Sequence, residues 1–291
     1  MNSFCGSPFW DSNITWNTDS PRFTPCFEKT VLVWIPSIFL TLFSSILIYS
    51  TMKRQQEKVN ISCLGILQGI VTSALGILQI INFSFITFRK ISNPNIKSYQ
   101  VDQAKSAILA FTFTLALILQ FITKRKGISS SAVLFIFWLL ATICSLPEFL
   151  NAFRGVFWRL PADEQYNVQK VDTFATLVGY PVIVAGFILS FFADQSIVYP
   201  VQPNKSHTRT TGLESKPCPQ KSSSFPNQIT FQWAYPLLRK GYKSVLKCSD
   251  LWDLNEEDKS SDITNRFMKH WKPELERAKK WYFLTCNTVV V

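Results

Sequence analysis

The sequence predicts an all-α polytopic membrane protein, a bundle of five transmembrane helices followed by a cytosolic linker with amphipathic segments. Charged residues make up only 17% of the 291 residues, below the roughly 25% of an average soluble domain. They are absent from five long windows, which cover residues 30–52, 59–88, 106–123, 127–147 and 173–193. Because a hydrocarbon core about 30 Å thick is crossed by about 20 apolar residues of helix, each window is suited to crossing a bilayer.

The polar N-terminal segment, residues 1–29, is predicted to lie outside the cell. It is rich in aromatic, Asn, Ser and Pro residues and contains the glycosylation sequon Asn13-Ile14-Thr15. The Lys and Arg residues of the short loops do not decide the orientation. An outside N-terminus does place the cluster Lys124-Arg125-Lys126, which has no acid beside it, on the inner side. We therefore expect an integral membrane protein with its N-terminus outside and its C-terminus in the cytosol.

Two features inside the predicted spans concern helix packing and charge. Gly65 and Gly69 are spaced so that a neighbouring helix can approach closely; we favour packing inside the bundle, with a homodimer face as the alternative. Glu148 follows Pro147 at the end of the fourth window. We expect its carboxylate at the aqueous interface, with a proton- or ion-coupling role as the alternative.

Motifs for catalysis or nucleotide binding are not found in the sequence. There is no G-x-x-x-x-G-K-[ST] loop, no G-x-S-x-G and no H-E-x-x-H, and both histidines, His207 and His270, fall in the tail. The seven cysteines include no C-x-x-C pair. The net charge of +11 is assigned to loops facing anionic lipid. We therefore predict no enzyme, no metal, no cofactor and no nucleic-acid partner.

The cysteines of the N-terminal segment are Cys5 and Cys26. An oxidising compartment would allow a disulfide between them. Spacing alone does not fix the pairing, so free thiols stay the alternative at this point.

Residues 195–291 are predicted to form a cytosolic linker, which opens with a Pro/Ser/Lys-rich stretch at residues 201–224. Aromatic and apolar residues followed by basic ones indicate that residues 225–242 lie at a membrane surface, with a small cytosolic packing element as the alternative. The alternation of its apolar residues suggests an extended first half, and a second amphipathic stretch at residues 267–282 is interrupted by Pro273. The predicted contact residues are Phe225, Ile229, Phe231, Trp233, Leu237 and Leu238.

Several short segments carry a resemblance to a known family. Those near the N-terminus are FCG at 4–6, WD at 10–11, PRFTPCF at 21–27 and TVLVWIP at 30–36. Those further along are RKG at 125–127, LSFFAD at 189–194, ITFQW at 229–233, RKGY at 239–242 and SDLW at 249–252. Over about residues 1–275, the sequence resembles the multidrug resistance-associated proteins, which are the subfamily C ABC exporters.

The resemblance implies an extra five-helix N-terminal membrane domain with its N-terminus outside. A cytosolic linker that touches the inner leaflet and the transporter core would follow. It also implies a disulfide between Cys5 and Cys26 and a glycan on Asn13, whereas Asp19 after Asn17-Thr18 leaves a second sequon incomplete. The core membrane domains and nucleotide-binding domains of that family would come after this linker, so we expect a truncated product.

Together these observations predict an accessory module of an ATP-driven exporter of organic anions and glutathione conjugates. We expect it to act through assembly, trafficking or gating contacts, without a transport pathway or ATP site of its own. Its partners would be membrane lipid and the exporter's core domains, in cis or in trans, in the plasma membrane. The alternatives are a self-sufficient oligomeric transporter or channel, which would need a polar lining, and an enzyme that binds ATP.

Overall fold

The computed structural model describes residues 2–18, 21–53, 62–92, 99–128, 130–157, 166–192, 218–220, 222–253, 258 and 260–287. Within these ranges the regular elements are helices, which confirms the predicted all-α class. Two short helices precede the bundle, α1 (Asn2–Cys5) and α2 (Ser12–Thr15). The long helices are α3 (Pro25–Met52), α4 (Cys63–Ser92), α5 (Gln100–Arg125), α6 (Ala132–Phe157) and α7 (Tyr166–Ser190). The elements after them are α8 (Phe225–Ile229), a 3₁₀ turn (Gln232–Ala234), α9 (Tyr235–Lys243), a second 3₁₀ turn (Cys248–Asp250) and α10 (Ser260–Asn287).

The five long helices are each apolar and long enough to cross a membrane, as the sequence predicts. At the end of the bundle where α3 begins, however, the helices extend beyond the charge-free windows. Helix α3 begins at Pro25 instead of residue 30, α5 at Gln100 instead of 106, and α6 continues to Phe157 instead of ending at 147. The helices therefore carry charged residues into the bundle.

Local signals set two of these helix ends. Thr24 caps α3, since its side-chain oxygen accepts a hydrogen bond from the Phe27 N–H, and Pro25 follows at the first helical position. Helix α5 stops at Gly127, whose φ of 70° is left-handed and whose N–H donates to the Lys124 carbonyl. A glycine suits this place because other residues rarely adopt that conformation.

The five helices form a closed ring. Following the main contacts, α3 packs on α5, α5 on α4, α4 on α7, α7 on α6, and α6 returns to α3. Large apolar side chains fill the interior: Leu40, Leu47, Leu75, Phe113, Leu119, Phe137 and Trp138, with Ala116. Such packing is the main force between helices in lipid, where the hydrophobic effect does not hold them together.

The chain divides into two compact units. Among the described residues, the first unit holds everything to Phe192 together with Ser222–Thr230, and the second holds residues from Phe231 onwards together with 218–220. The predicted domain boundary at residues 194–195 and most of the Pro/Ser/Lys-rich stretch lie outside the described residues, as does the end of the chain after Asn287.

The structure corrects two expectations about the linker. Residues on both sides of Phe231 are helical, so the alternation of apolar residues there does not mark an extended segment. Instead Phe231, with a φ of 55°, separates α8 from the 3₁₀ turn that follows it. Helix α10 runs unbroken through Pro273, because its turns around the proline are exposed and the freed carbonyl can bond to water.

Candidate functional site

Charged side chains from four helices meet inside the bundle at one end. The starts of α3, α5 and α7 and the ends of α4 and α6 lie at this end, because successive helices run in opposite directions. We call this set the charge cluster. It consists of Lys29 on α3, Asp102 and Lys105 on α5, Glu148 on α6 and Asp172 on α7.

Opposite charges alternate through the charge cluster. The Lys29 ammonium lies 2.6 Å from Asp102 Oδ1 and 3.6 Å from Asp172 Oδ2. The Lys105 ammonium lies 3.1 Å from Asp172 Oδ1 and also donates to Glu148 Oε1. Asp172 therefore bridges both lysines. Lys105 is the most deeply placed, with 4% of its side chain exposed.

Polar side chains extend the charge cluster to the fifth helix. Asn82 on α4 donates through Nδ2 to Ser106 Oγ at 3.2 Å and to Asp172 Oδ1 at 3.4 Å. Thr176 donates to Glu148 Oε1 at 3.4 Å. Beside them the buried Glu28 accepts from Asn151 Nδ2 at 2.5 Å, which adds a link between α3 and α6. All five long helices are thus joined by polar contacts at this end.

The position of Glu148 differs from the expectation that its carboxylate lies at the aqueous interface. Its side chain is only 17% exposed and is paired with Lys105. The expectation was wrong because α6 continues past Pro147 and keeps Glu148 facing α5 and α7. The sequence reasoning missed the four other members of the charge cluster, which stand just outside the charge-free windows. The three-residue spacing of Asp102 and Lys105 places both on one side of a helix and could have indicated a charged face at the start of α5.

Buried charge pairs of this kind specify which helices are neighbours more than they add to the free energy of folding. Removing charges from water is costly, and the mutual attraction of a buried pair about offsets that cost when the geometry is good. Within the described ranges, no set of three or more His, Cys, Asp or Glu side chains is arranged to hold a metal ion. The arrangement is suited to fixing which helix ends are neighbours.

The N-terminal segment packs against the same end. Cys5 and Cys26 are joined by a disulfide, with their Cα atoms 5.3 Å apart. Val101 is buried against this pair, and Tyr99 packs beside it. Gly6 has a φ of 73°, and the Tyr99 ring lies where a side chain of residue 6 would be, so only glycine fits.

Asn13 is exposed on the one-turn helix α2. The hydroxyl of its sequon partner Thr15 is turned inward, donates to the Asp11 carbonyl at 2.9 Å and is largely buried. The Asn13 side chain itself is accessible for modification.

The predicted linker contact residues fall into two groups. In the first unit, the Phe225 N–H donates to Ser130 Oγ at 3.0 Å, and its ring lies 5.7 Å from that of Phe135. In the second unit, the ring of Trp233 lies 6.0 Å from that of Trp252. The other members are half-buried (Leu237) or exposed, the exposed ones being Ile229, Phe231 and Leu238.

Gly69 on α4 does not make the packing contact inside the bundle that we favoured. A Cβ added at Gly69 would meet no atom within 4 Å, so close packing inside the bundle is absent there. Gly65, one turn earlier, is half-buried near the start of α4. A close approach is made at Gly186, whose added Cβ would lie 2.5 Å from the Trp138 ring, whereas at Gly179 and Gly76 the distances of 3.5 Å and 3.8 Å are those of ordinary contact. Spacing does not tell which side of a helix faces its neighbours, so the packing role of Gly65 and Gly69 stays a prediction, with a homodimer face as the alternative.

Comparison with known proteins identifies the membrane domain. A family model described as the ABC transporter TMD0 domain matches residues 4–166, which is more than half of the chain. The chain belongs to the TMD0 family. Residues 4–166 cover the end of α1 and all of α2 to α6, so the charge cluster lies in this TMD0 domain except for Asp172.

Relatives of the TMD0 chain are found among complete transporters. It is 28% identical to rat ATP-binding cassette sub-family C member 3 over 94% of its length and 24% identical to the human member 3 over 96%. It is 26% identical to human ATP-binding cassette sub-family C member 2, also over 96%. The matched segment is 17%, 18% and 16% of these relatives, so the chain spans less than a fifth of their length. The predicted resemblance to subfamily C exporters is confirmed.

Proposed function

We propose that this protein acts as an accessory membrane module of an ATP-driven subfamily C exporter of organic anions. Its action would lie in contacts that support assembly, trafficking or gating of the exporter's core domains. The substrate pathway and the ATP sites would belong to the core. The observation that carries the proposal is the match of nearly the whole chain to less than a fifth of such transporters, within a family of TMD0 domains.

Exposed apolar surface supports a docking role. In the second unit, Phe231 and Leu238 are each 66% exposed and lie beside basic residues of α9. In the bundle, the α4 surface at Gly69 is open, flanked by the exposed Ile66 and Ile70. The first surface is suited to the inner leaflet and the core, and the second to close packing with another membrane helix.

A capture experiment tests the proposal. The full chain carrying an affinity tag is produced together with a separate polypeptide, the human sub-family C member 3 lacking its matching segment. The chain is then captured from a mild detergent extract. We expect the core to be captured with it. The double substitution Phe231→Asp, Leu238→Asp should reduce capture about tenfold or more, which corresponds to about 1.4 kcal/mol.

Both substituted side chains are exposed, so the change should leave the fold intact. The matched control is Ser260→Asp, Ser261→Asp, which adds the same two charges at the start of α10, where they favour the helix. This control should be captured like the original chain. If the core is not captured by the unsubstituted chain, the proposed accessory role is wrong.

The alternative of a self-sufficient transporter or channel gains no support from the bundle interior. Apolar core residues around Phe137 and Trp138 fill most of the described ring. The buried hydroxyls of Thr72 and Thr112 are used in hydrogen bonds to Gln120 and Ser37 on neighbouring helices. We therefore propose no second function.

A further inference from the structure

A cavity opens at the end of the bundle opposite the charge cluster. It lies between the start of α4, the end of α5, the start of α6 and the end of α7. The room inside it for water-sized molecules is about 30 Å³, and beyond that it opens to the surface. The polar residues that line it are Gln68, Gln120, Thr123, Lys124, Ser130, Ser131 and Ser190. The apolar ones are Ile128, Leu134, Phe135, Trp138 and Phe192.

The charge of the lining favours an anion. Among the described residues that line it, none is acidic and Lys124 carries the charge. Arg125 and Lys126 follow it directly, and the Arg125 guanidinium lies over the Phe121 ring, 4.2 Å from its centre. Three consecutive cations therefore stand at this end of α5.

One hydrogen-bonding group in the wall also lacks a partner. The Ser131 oxygen is buried and has no hydrogen-bond partner in the structure, and burying such a group unsatisfied is unfavourable. Its neighbour Ser130 is already engaged, since it accepts from the Phe225 N–H. A hydroxyl beside a lysine is a common way of binding a phosphate oxygen.

We propose that this cavity binds the phosphate of an anionic lipid headgroup. The helix ends around it stand where the headgroup layer begins, and Leu134, Phe135 and Phe192 provide an apolar wall for the lipid's glycerol and acyl region. In the orientation proposed here, this end faces the cytosolic leaflet, where anionic lipids are concentrated. A headgroup held by Ser131 would lie one residue from the Ser130 contact that attaches α8 to the bundle.

The proposal does not depend on the accessory role, because it concerns the chain alone. It is tested on the full chain in nanodiscs of phosphatidylcholine. Short-chain phosphatidic acid, short-chain phosphatidylcholine or inorganic phosphate is added at matched ionic strength, and thermal unfolding is followed. We expect a saturable rise in Tm of about 2–4 °C with phosphatidic acid only.

Substitutions then locate the site. Lys124→Gln and Ser131→Ala should each weaken the apparent affinity for phosphatidic acid at least about tenfold, since a charged hydrogen bond or its partner is lost. Lys53→Gln removes an equivalent charge from the exposed end of α3 at the same end of the bundle, and it should change affinity less than about twofold. If Lys124→Gln does not fold, the loss of affinity in Ser131→Ala tests the site by itself.

Three outcomes would overturn the proposal. One is no shift with phosphatidic acid. Another is an equal loss of affinity in Lys53→Gln and Lys124→Gln, which would show attraction to the surface in general. The third is the same shift with inorganic phosphate, with the same dependence on Lys124 and Ser131, which would assign the cavity to a soluble phosphate compound.

Discussion

Lys105 is the residue on which most contacts of the charge cluster depend. Its ammonium reaches Glu148 on α6 and Asp172 on α7 from a side chain that is almost fully buried. Asp172 also forms an ion pair with Lys29 and accepts a hydrogen bond from the side-chain amide of Asn82. Loss of Lys105 would therefore leave Glu148 without its cation and Asp172 with Lys29 alone.

Lys105→Met should therefore destabilise the bundle by about 3–5 kcal/mol, since it leaves buried carboxylates without their cation. The measurement is thermal or denaturant unfolding of the full chain in detergent micelles. Lys90→Met is the matched control. Lys90 lies at the same end of the bundle, is exposed and bonds to Gln103 Oε1 at 3.2 Å, so its loss should cost less than about 0.5 kcal/mol. Equal stability of the two variants would contradict the pairing described here.

At this scale the sequence predicts some features and misses others. Cys5 and Cys26 were identifiable as a candidate pair, whereas the helix start at Thr24-Pro25 was missed because the charge-free window begins only at residue 30. Glu148 was misplaced because a search for charge-free windows treats the first charge as the end of the membrane segment. A lysine paired with acids on other helices can be buried, and those partners lie too far along the chain to be recognised from sequence alone.

Among the helices, α7 leaves the largest share of its apolar segment facing outward, and α4 and α6 follow equally. Their inner surfaces are fitted closely in places. An added Cβ at Gly186 on α7 would lie 2.5 Å from the ring of Trp138, which is 3% exposed and held by its neighbours. Position 186 requires glycine because there is no room for a side chain beside the Trp138 ring, and not because of its backbone conformation.

Gly186→Ala is expected to destabilise the bundle by about 1–3 kcal/mol, because the Trp138 ring must move to admit a methyl group. Gly69→Ala makes the same change on α4, where nothing lies within 4 Å, and should be neutral or stabilising by about 0.5–1 kcal/mol from helix propensity. Unfolding of both variants in the same detergent gives the comparison. If Gly186→Ala is as stable as Gly69→Ala, the close approach of α7 to Trp138 is wrong.

The identity of the long helices is predictable, whereas their contacts are not. Five uncharged windows give five helices, because an apolar segment in lipid must satisfy its own backbone hydrogen bonds. Which face of each helix turns inward depends on neighbours that no window reveals. The conformation of Phe231 was likewise not predictable. Its left-handed backbone separates two helical segments, and the apolar residues on either side then alternate as they would in an extended segment.

For the molecule as a whole, the Lys and Arg residues of the short loops do not decide which end of the bundle faces the cytosol. The proposed orientation places Asn13, the disulfide and the charge cluster outside, and α8 and the linker inside. The sequon and the oxidised cysteines support this choice.

Asn13→Gln should abolish glycosylation of the full chain produced in mammalian cells. The readout is the change in gel mobility on treatment with a glycosidase. Asn17→Gln is the control, because Asn17 is exposed in the same segment but belongs to no sequon, and it should leave the glycan in place. A reversed chain would place the sequons at Asn60 and Asn204 outside instead. A glycan that persists in Asn13→Gln, together with a tag after residue 291 that is accessible from outside the cell, would therefore show that the orientation is reversed.

The order of charges along the chain has a consequence for biogenesis. Lys29 finds Asp102 as soon as α5 is made, but the partners of Lys105 belong to α6 and α7, which leave the ribosome later. Until they arrive, an unpaired ammonium has to be kept near water, so α5 cannot settle at its final depth. Insertion of α6 and α7 would then allow α5 to reach its final depth. A chain whose synthesis stops before residue 148 should keep Lys105 unpaired and be degraded as a misassembled membrane protein.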